Sequence, residues 1–376
     1  MDYYPNGQFN NNSQNGNSVN GQNGSVNRLN QNPQNFPYGN NFVPPFTPPS
    51  PFPVNPQAEQ KRKDRNILKT MGFSFGLAII LYFLLGNAVV ATLYLISNFS
   101  PALKSFMDSQ TGNYVLQCFL SVLFIGGPFL LSYSILRKKK YVGILPYGTT
   151  YNKKAAVSLT MFLTPVMLVS TIIVNLISSI FQDAVGITFE SGMEDMTAEG
   201  PLGAIILVIS LAVIPAVVEE FCIRGVVLQP LRRYGDKFAI VMSAAIFSIL
   251  HGNMVQIPYT LVAGIYLGYL CVATGSIWPS IVLHFVNNMF SAVQLIIISN
   301  YGEKASAAAV VVMLGVLVAV GIAGGLIFFN MGYKTELKKG VNTLKTGEKV
   351  GAVLSSPALI IAIVFMLIST ALTIDF

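Results

Sequence analysis

From Thr70 onward the chain alternates between long apolar runs and short polar connections rich in Lys and Arg. An apolar run of ~20 residues is what a helix needs to cross a hydrocarbon core. The pattern predicts spans at about 70–97, 113–136, 155–181, 202–230, 238–253, 259–274, 276–300, 305–330 and 351–374. The fifth and sixth are short, and fit only as helices packed inside a bundle or as partly re-entrant segments. Residues 1–60 are different: rich in Asn, Gln, Gly, Ser and Pro, they end in Pro-Pro-Phe-Thr-Pro-Pro-Ser-Pro-Phe-Pro. Such a segment buries too little apolar area to offset chain entropy. Residues 1–66 therefore read as a disordered cytoplasmic tail with polyproline character near 44–56, either a partner-binding segment or a solvated extension. Residues 67–376 read as a multi-pass membrane domain. The expected fold class is all-α, a polytopic transmembrane helical bundle of about eight or nine spans. No N-terminal signal peptide is expected, because the first long apolar run begins only near Thr70.

Composition supports that pattern. Of 376 residues, 52% are hydrophobic and 10% charged, and mean hydropathy is +0.57, whereas soluble domains carry about 25% charged residues. A net charge of +7 would suit nucleic acid, but its placement argues against that partner. Lys and Arg gather beside apolar spans, at 61–65, 137–140 with 153–154, 232–237 and 334–349, while the loop after the third span holds Asp183, Glu190, Glu194, Asp195 and Glu199 without a basic residue. The asymmetry predicts a cytoplasmic N-terminus in a lipid bilayer; the expected location is a plasma membrane, of bacterial origin. Cys118, Cys222 and Cys271 all lie in apolar segments and read as buried small residues rather than a disulfide framework.

The candidate chemistry is concentrated. Glu219, Glu220 and Arg224 are the charged residues that fall inside predicted spans, and the two histidines, His251 and His284, lie in later apolar segments. Charge in hydrocarbon costs at least ~2.5–3.5 kcal/mol per residue, so such positions are functional candidates by default. On a helix Glu220 and Arg224 stand one turn apart on one face, which lets them neutralise each other. Glu219 is rotated about 100° away and is left to face a cavity or another helix. His284 and Asn288 share a face at a spacing of four. At ~1.5 Å per residue from the basic ends, Glu219 lies roughly 18 Å deep, His251 roughly 20 Å and His284 roughly 12 Å, so all can meet in the cytoplasmic half of the bilayer. A carboxylate and an imidazole can hold a water and take its proton. A second imidazole and an amide can donate to the oxyanion of a tetrahedral intermediate. The same Glu219, His251 and His284 could instead ligate a divalent metal such as zinc, and the sequence leaves a bare water and a metal-bound one both open. There is no His-Glu-x-x-His motif, and Gly72-Phe73-Ser74-Phe75-Gly76 opens a span without the strand–turn–helix setting of a serine nucleophile.

Glu219-Glu220-Phe221-Cys222-Ile223-Arg224, Phe247-Ser248-Ile249-Leu250-His251 and His284-Phe285-Val286-Asn287-Asn288, in that order on successive spans, resemble the CPBP family of CAAX proteases and bacteriocin-processing enzymes, also called the Abi family. Gly275-Ser276-Ile277-Trp278-Pro279-Ser280 is similar to that family as well. The resemblance covers about 155–300, the expected catalytic core. It implies that Glu219 and His251 activate water, that His284 and Asn288 stabilise the oxyanion, and that Glu220 and Arg224 shape the site. The expected activity is an intramembrane endopeptidase acting on peptide or membrane-protein substrates, in peptide processing, bacteriocin immunity or surface-protein maturation. No obligatory protein partner is expected, since one chain supplies every role. A proton-coupled transporter and a catalytically silent immunity or scaffold protein are the competing classes.

Overall fold

The computed structural model describes residues 55–148, 152–189, 196–198, 200–341, 343–372, 374 and 375. Most of the expected tail, residues 1–54, lies outside the described residues. Helix α1 (Pro56–Ser97) takes in residues 56–66, which composition had placed with the tail. Their Gln, Ala, Glu, Lys and Arg are strong helix formers, and a proline suits the first helical turn.

The chain continues through α2 (Pro101–Met107), α3 (Gln110–Lys138), α4 (Lys153–Val185), α5 (Gly200–Tyr234), α6 (Asp236–Leu250), α7 (Gln256–Thr274), α8 (Trp278–Asn330), α9 (Thr346–Leu354) and α10 (Pro357–Ala371). Among the described residues the only strand pairing is an antiparallel pair of two-residue strands, β1 (Thr188–Phe189) with β2 (Ile374–Asp375). The fold is all-α, as the apolar pattern predicts.

Among the described residues six helices are long and apolar enough to cross a membrane, and α9 with α10, bent by 79°, makes a seventh if taken as one span. The expected eight or nine spans are therefore approximate, for identifiable reasons. Helix α6 has 15 residues, about 22 Å of rise against a ~30 Å hydrocarbon core. The last predicted span breaks at Ser355 and Ser356, where Pro357 starts a new helix and cannot donate to the preceding turn. Helix α8 turns at Gly302, whose φ of 81° is a conformation glycine adopts without steric cost. Leu283 and Phe328 share one core cluster but would lie roughly 68 Å apart on a straight helix. The two arms of α8 therefore lie side by side.

Helix α4 packs on both arms. It starts where the Asn152 side chain accepts from Ala155 N at 3.2 Å, an N-cap that satisfies one orphan donor. Gly324 on the second arm meets Met161 and Ser158 so closely that a β-carbon would sit 2.5 Å from Met161 Cβ. The main core gathers Leu68, Met71 and Phe75 of α1, Ile223 and Val226 of α5, Phe247 of α6 and Leu359 of α10.

Basic segments distant in sequence meet on one face of the bundle. Buried Asp64 accepts from Gln60 Nε2 at 3.2 Å, Tyr234 OH at 3.2 Å and Thr343 Oγ1 at 2.6 Å. Lys349 Nζ donates to the Tyr234 carbonyl at 2.7 Å. Glu348 pairs with Lys61 at 2.8 Å and Arg65 at 2.6 Å, and Lys338 N donates to Asp236 Oδ2 at 2.9 Å. The loop after α3 closes against the start of α8, with Trp278 Nε1 donating to the Tyr147 carbonyl at 3.0 Å.

Candidate active site

Helix α5 carries the carboxylates and is irregular where it does so. A short α-helical stretch, Ile214–Glu220, lies between π-helical turns at Ile209–Val213 and Phe221–Leu228. Such π-turns inside α-helices are frequent at functional sites. Pro215 contributes, because it has no N–H to give to the carbonyl four residues earlier, that of Leu211. Asn288 Nδ2 of α8 donates to that carbonyl at 3.1 Å, which fastens the first arm of α8 to the irregular stretch of α5.

The two adjacent glutamates have different surroundings. Glu220 and Arg224 are fully buried. Glu220 Oε2 lies 3.1 Å from Arg224 Nε, and Glu220 Oε1 accepts from His284 Nδ1 at 2.9 Å. The Arg224 contact is close in distance but poorly aligned as a hydrogen bond, and the guanidinium nitrogens have no acceptor among the described residues. We read it as charge–charge attraction, supplemented by the face of Phe247, whose ring centroid lies 4.8 Å from Arg224 Cζ. Cation–π attraction of this kind strengthens when water is excluded. Glu219, whose side chain is 21% exposed, has Oε2 3.7 Å from His284 Nε2.

His251 follows the last turn of α6. Its Nδ1 lies 2.9 Å from the Phe247 carbonyl. A carbonyl oxygen can only accept, so Nδ1 carries the hydrogen and, in the neutral ring, Nε2 carries the lone pair. Phe247 is a spacer among the polar groups, with ring contacts to both His251 at 4.8 Å and His284 at 5.9 Å.

Glu219, His251, His284 and Asn288 line one cavity of about 880 Å³, whereas Glu220 and Arg224 stand behind its wall. The lining also extends beyond the expected core of 155–300, with Tyr82 and Asn87 of α1, Asn113 of α3 and Met366 of α10. Asn287 is a contributor that sequence reasoning passed over. Its Nδ2 donates to Asn288 Oδ1 at 3.2 Å, so the Asn288 amide is held at both ends. The signal was present as the doubled Asn287-Asn288, but only packing shows that both reach the cavity.

The metal alternative fits less well than the water. Among the described residues no three His, Cys, Asp or Glu side chains converge as a metal site requires. His284 Nδ1 donates to Glu220, which leaves Nε2, the nitrogen toward Glu219, as the one that could meet water or a metal. No step below is routed through a metal.

Residues 201–290 match the family model described as Rce1-like, Type II CAAX prenyl endopeptidase. The match is consistent with the CPBP and CAAX protease family that the three motifs resemble, and that family implies an intramembrane protease. It spans the segment from the start of α5 to the first arm of α8, including all six candidate residues. No curated protein and no solved structure matches the chain.

Proposed function

We propose that this chain is an intramembrane endopeptidase in which Glu219 and His251 activate a water and His284 with Asn288 receives the developing oxyanion. The observation that carries the reading is the separation of adjacent carboxylates: Glu220 is buried against Arg224 and His284, while Glu219 lines a cavity with two imidazoles and an amide. A purely structural ion pair accounts for Glu220 and Arg224 but not for Glu219.

In the proposed reaction Glu219, assisted by His251 Nε2, takes a proton from water as the water oxygen bonds to the scissile carbonyl carbon. The carbonyl π electrons move to oxygen. Asn288 retains one N–H beyond the bond it gives Leu211, and that hydrogen is available to the oxyanion. Because His284 Nδ1 donates to Glu220, its Nε2 can also donate only when the ring is imidazolium. Glu219 and Glu220, on either side of the ring, would balance that charge. When the intermediate collapses, the C–N bond breaks and the proton held by Glu219 and His251 passes to the leaving amine. The products are a carboxylate-terminated and an amine-terminated peptide. Glu220, Arg224 and Phe247 are positioning residues, which hold His284 at its depth and angle.

Peptide or membrane-associated segments are the substrates we expect, in a multi-pass protein of the plasma membrane with the basic face cytoplasmic. The test is quantitative proteomics of membranes from cells carrying the wild type or Glu219→Ala, followed by cleavage of quenched fluorescent peptides, with and without a prenylated cysteine, by purified protein. Fragments that depend on Glu219 and peptide turnover by the wild type are expected. Identical fragment sets, together with no turnover of either peptide type, would overturn the reading.

A further inference from the structure

The walls of the cavity carry a pattern that the catalytic groups do not explain. Of its lining residues, those that are also exposed are Asn87, Asn113, Ile172, Asn175 and Gln294. Four of the five are carboxamides, contributed by α1, α3, α4 and the first arm of α8. Two of them, Asn87 and Asn175, interrupt otherwise apolar runs, where a polar side chain is costly unless it has a use. Asn87 Nδ2 returns to the Phe83 carbonyl of its own helix at 2.7 Å, which leaves its oxygen available as an acceptor.

Each of these helices has one end on the basic face, so the depth of the rim can be measured four times. At ~1.5 Å per residue, Asn87 lies roughly 33 Å from Arg65, Asn113 roughly 36 Å from Arg137, Asn175 roughly 32 Å from Lys154 and Gln294 roughly 24 Å from Trp278. His284 lies only roughly 9 Å from Trp278 on the same scale. The Gln294 carbonyl accepts from Ser306 Oγ at 3.4 Å, just past the Gly302 turn that joins the two arms of α8. The rim is thus near the face opposite the basic loops, and the hydrolytic groups lie deeper, toward the basic face.

The lining chemistry narrows what can enter. Glu219 is the one Asp, Glu, Lys or Arg side chain among the described lining residues. An acidic segment drawn in would lose water, find no cationic side chain among the described lining residues and also meet Glu219. A carboxamide offers both a donor and an acceptor, the complement of a peptide group.

We propose that substrate reaches Glu219 from the face remote from the basic loops, as a non-acidic, extended peptide segment whose backbone is engaged by Asn87, Asn113, Asn175 and Gln294. Basic loops stay cytoplasmic, so that face is the extracytoplasmic one. The proposal rests on the peptidase reading for its substrate, but not for its route.

The route is tested in Cys118→Ala chains, which leave only buried cysteines, by adding Asn113→Cys or Asn175→Cys and treating intact cells with a membrane-impermeant maleimide polymer. Labelling in intact cells is expected, with a Lys338→Cys control labelled only after permeabilisation; the reverse pattern overturns the route. The substrate chemistry is tested on purified protein with neutral quenched peptides and their Asp-substituted versions. Asn113→Leu and Asn175→Leu, with the native cysteines retained, should each lower kcat/KM about 5-fold through KM, the equivalent of one lost hydrogen bond, and Asp-containing peptides should be cleaved more slowly. Unchanged KM in the double variant overturns the rim's role. No turnover by the wild type removes the peptidase reading and the assigned substrate together, while the labelling still decides the route.

Discussion

Two of the buried carboxylates among the described residues, Asp64 beside the end of helix α5 and Glu220 in the middle of that helix, have surroundings that differ in kind. Asp64, from α1, meets the end of α5 at Tyr234. It accepts hydrogen bonds from Gln60, Thr343 and Tyr234, all neutral donors, and among the described residues no charged side chain pairs with it as Arg224 pairs with Glu220. Glu220 faces Arg224 and His284, beside a second carboxylate that opens onto a cavity. The Asp64 knot is saturated, and its effect is to pin α1, α5 and the segment before α9 together. Around Glu220, Arg224 keeps unused donors, and Glu219 and His251 Nε2 keep capacity for a further group. Buried polar groups that only hold a fold together tend to have all their hydrogen bonds made within the protein. Capacity left open at a cavity is what a site for chemistry needs.

The sharpest break of that comparison is at Glu219. Glu219→Gln should reduce peptide turnover by about 10²–10⁴-fold, the usual worth of a general base, with thermal stability unchanged in detergent. A large loss of stability would move Glu219 to the structural class. Next is Arg224→Ala, which strands Glu220 without its charge partner. Breaking a buried pair from one side costs about 3–5 kcal/mol, and the midpoint of thermal unfolding, followed by size-exclusion fluorescence, should fall together with turnover. Asp64→Ala should behave differently. Gln60 and Thr343 are only partly buried and can turn to water, so the main loss is the buried Tyr234 hydroxyl, about 1–3 kcal/mol; it lowers the unfolding midpoint, while turnover per folded molecule stays at the wild-type value. Tyr234→Phe should be mildest, at about 1 kcal/mol for one hydrogen bond, again in unfolding alone. If either of the last two changed kcat per folded molecule, the knot would be a positioning device for α5 and the division would fail.

Much of the site is legible without coordinates because hydrocarbon makes charge conspicuous. Glu219, Glu220, Arg224, His251 and His284 stand out against apolar runs, and a spacing of four predicts the Glu220–Arg224 pair that the structure holds at 3.1 Å. The contact from His284 Nδ1 to Glu220 is absent from the sequence reading, since it joins residues 64 apart. Asn288 was read as an oxyanion donor from its spacing to His284, but its bond to Leu211 depends on a carbonyl exposed by Pro215 on another helix. Helix boundaries were the weaker part. Residues 56–66 lack the apolar signal of a span yet have strong helix propensity, and the break before Pro357 lies inside a run that is apolar throughout.

The sequence by itself determined that this is a multi-pass helical protein, which face of the bundle is basic, and which few residues are candidates for chemistry. Each of those follows from local physics: the hydrophobicity of ~20-residue windows, the cost of charge in lipid, and the 3.6-residue turn. Only the tertiary structure decided that the Glu219 side opens onto a cavity rather than another helix, which imidazole nitrogen is already committed, that the Phe247 ring contacts Arg224 and both histidines, and that carboxamides from four helices form one rim. Those outcomes depend on contacts between helices far apart along the chain, set by packing and by the π-turns of α5, and no local pattern encodes them.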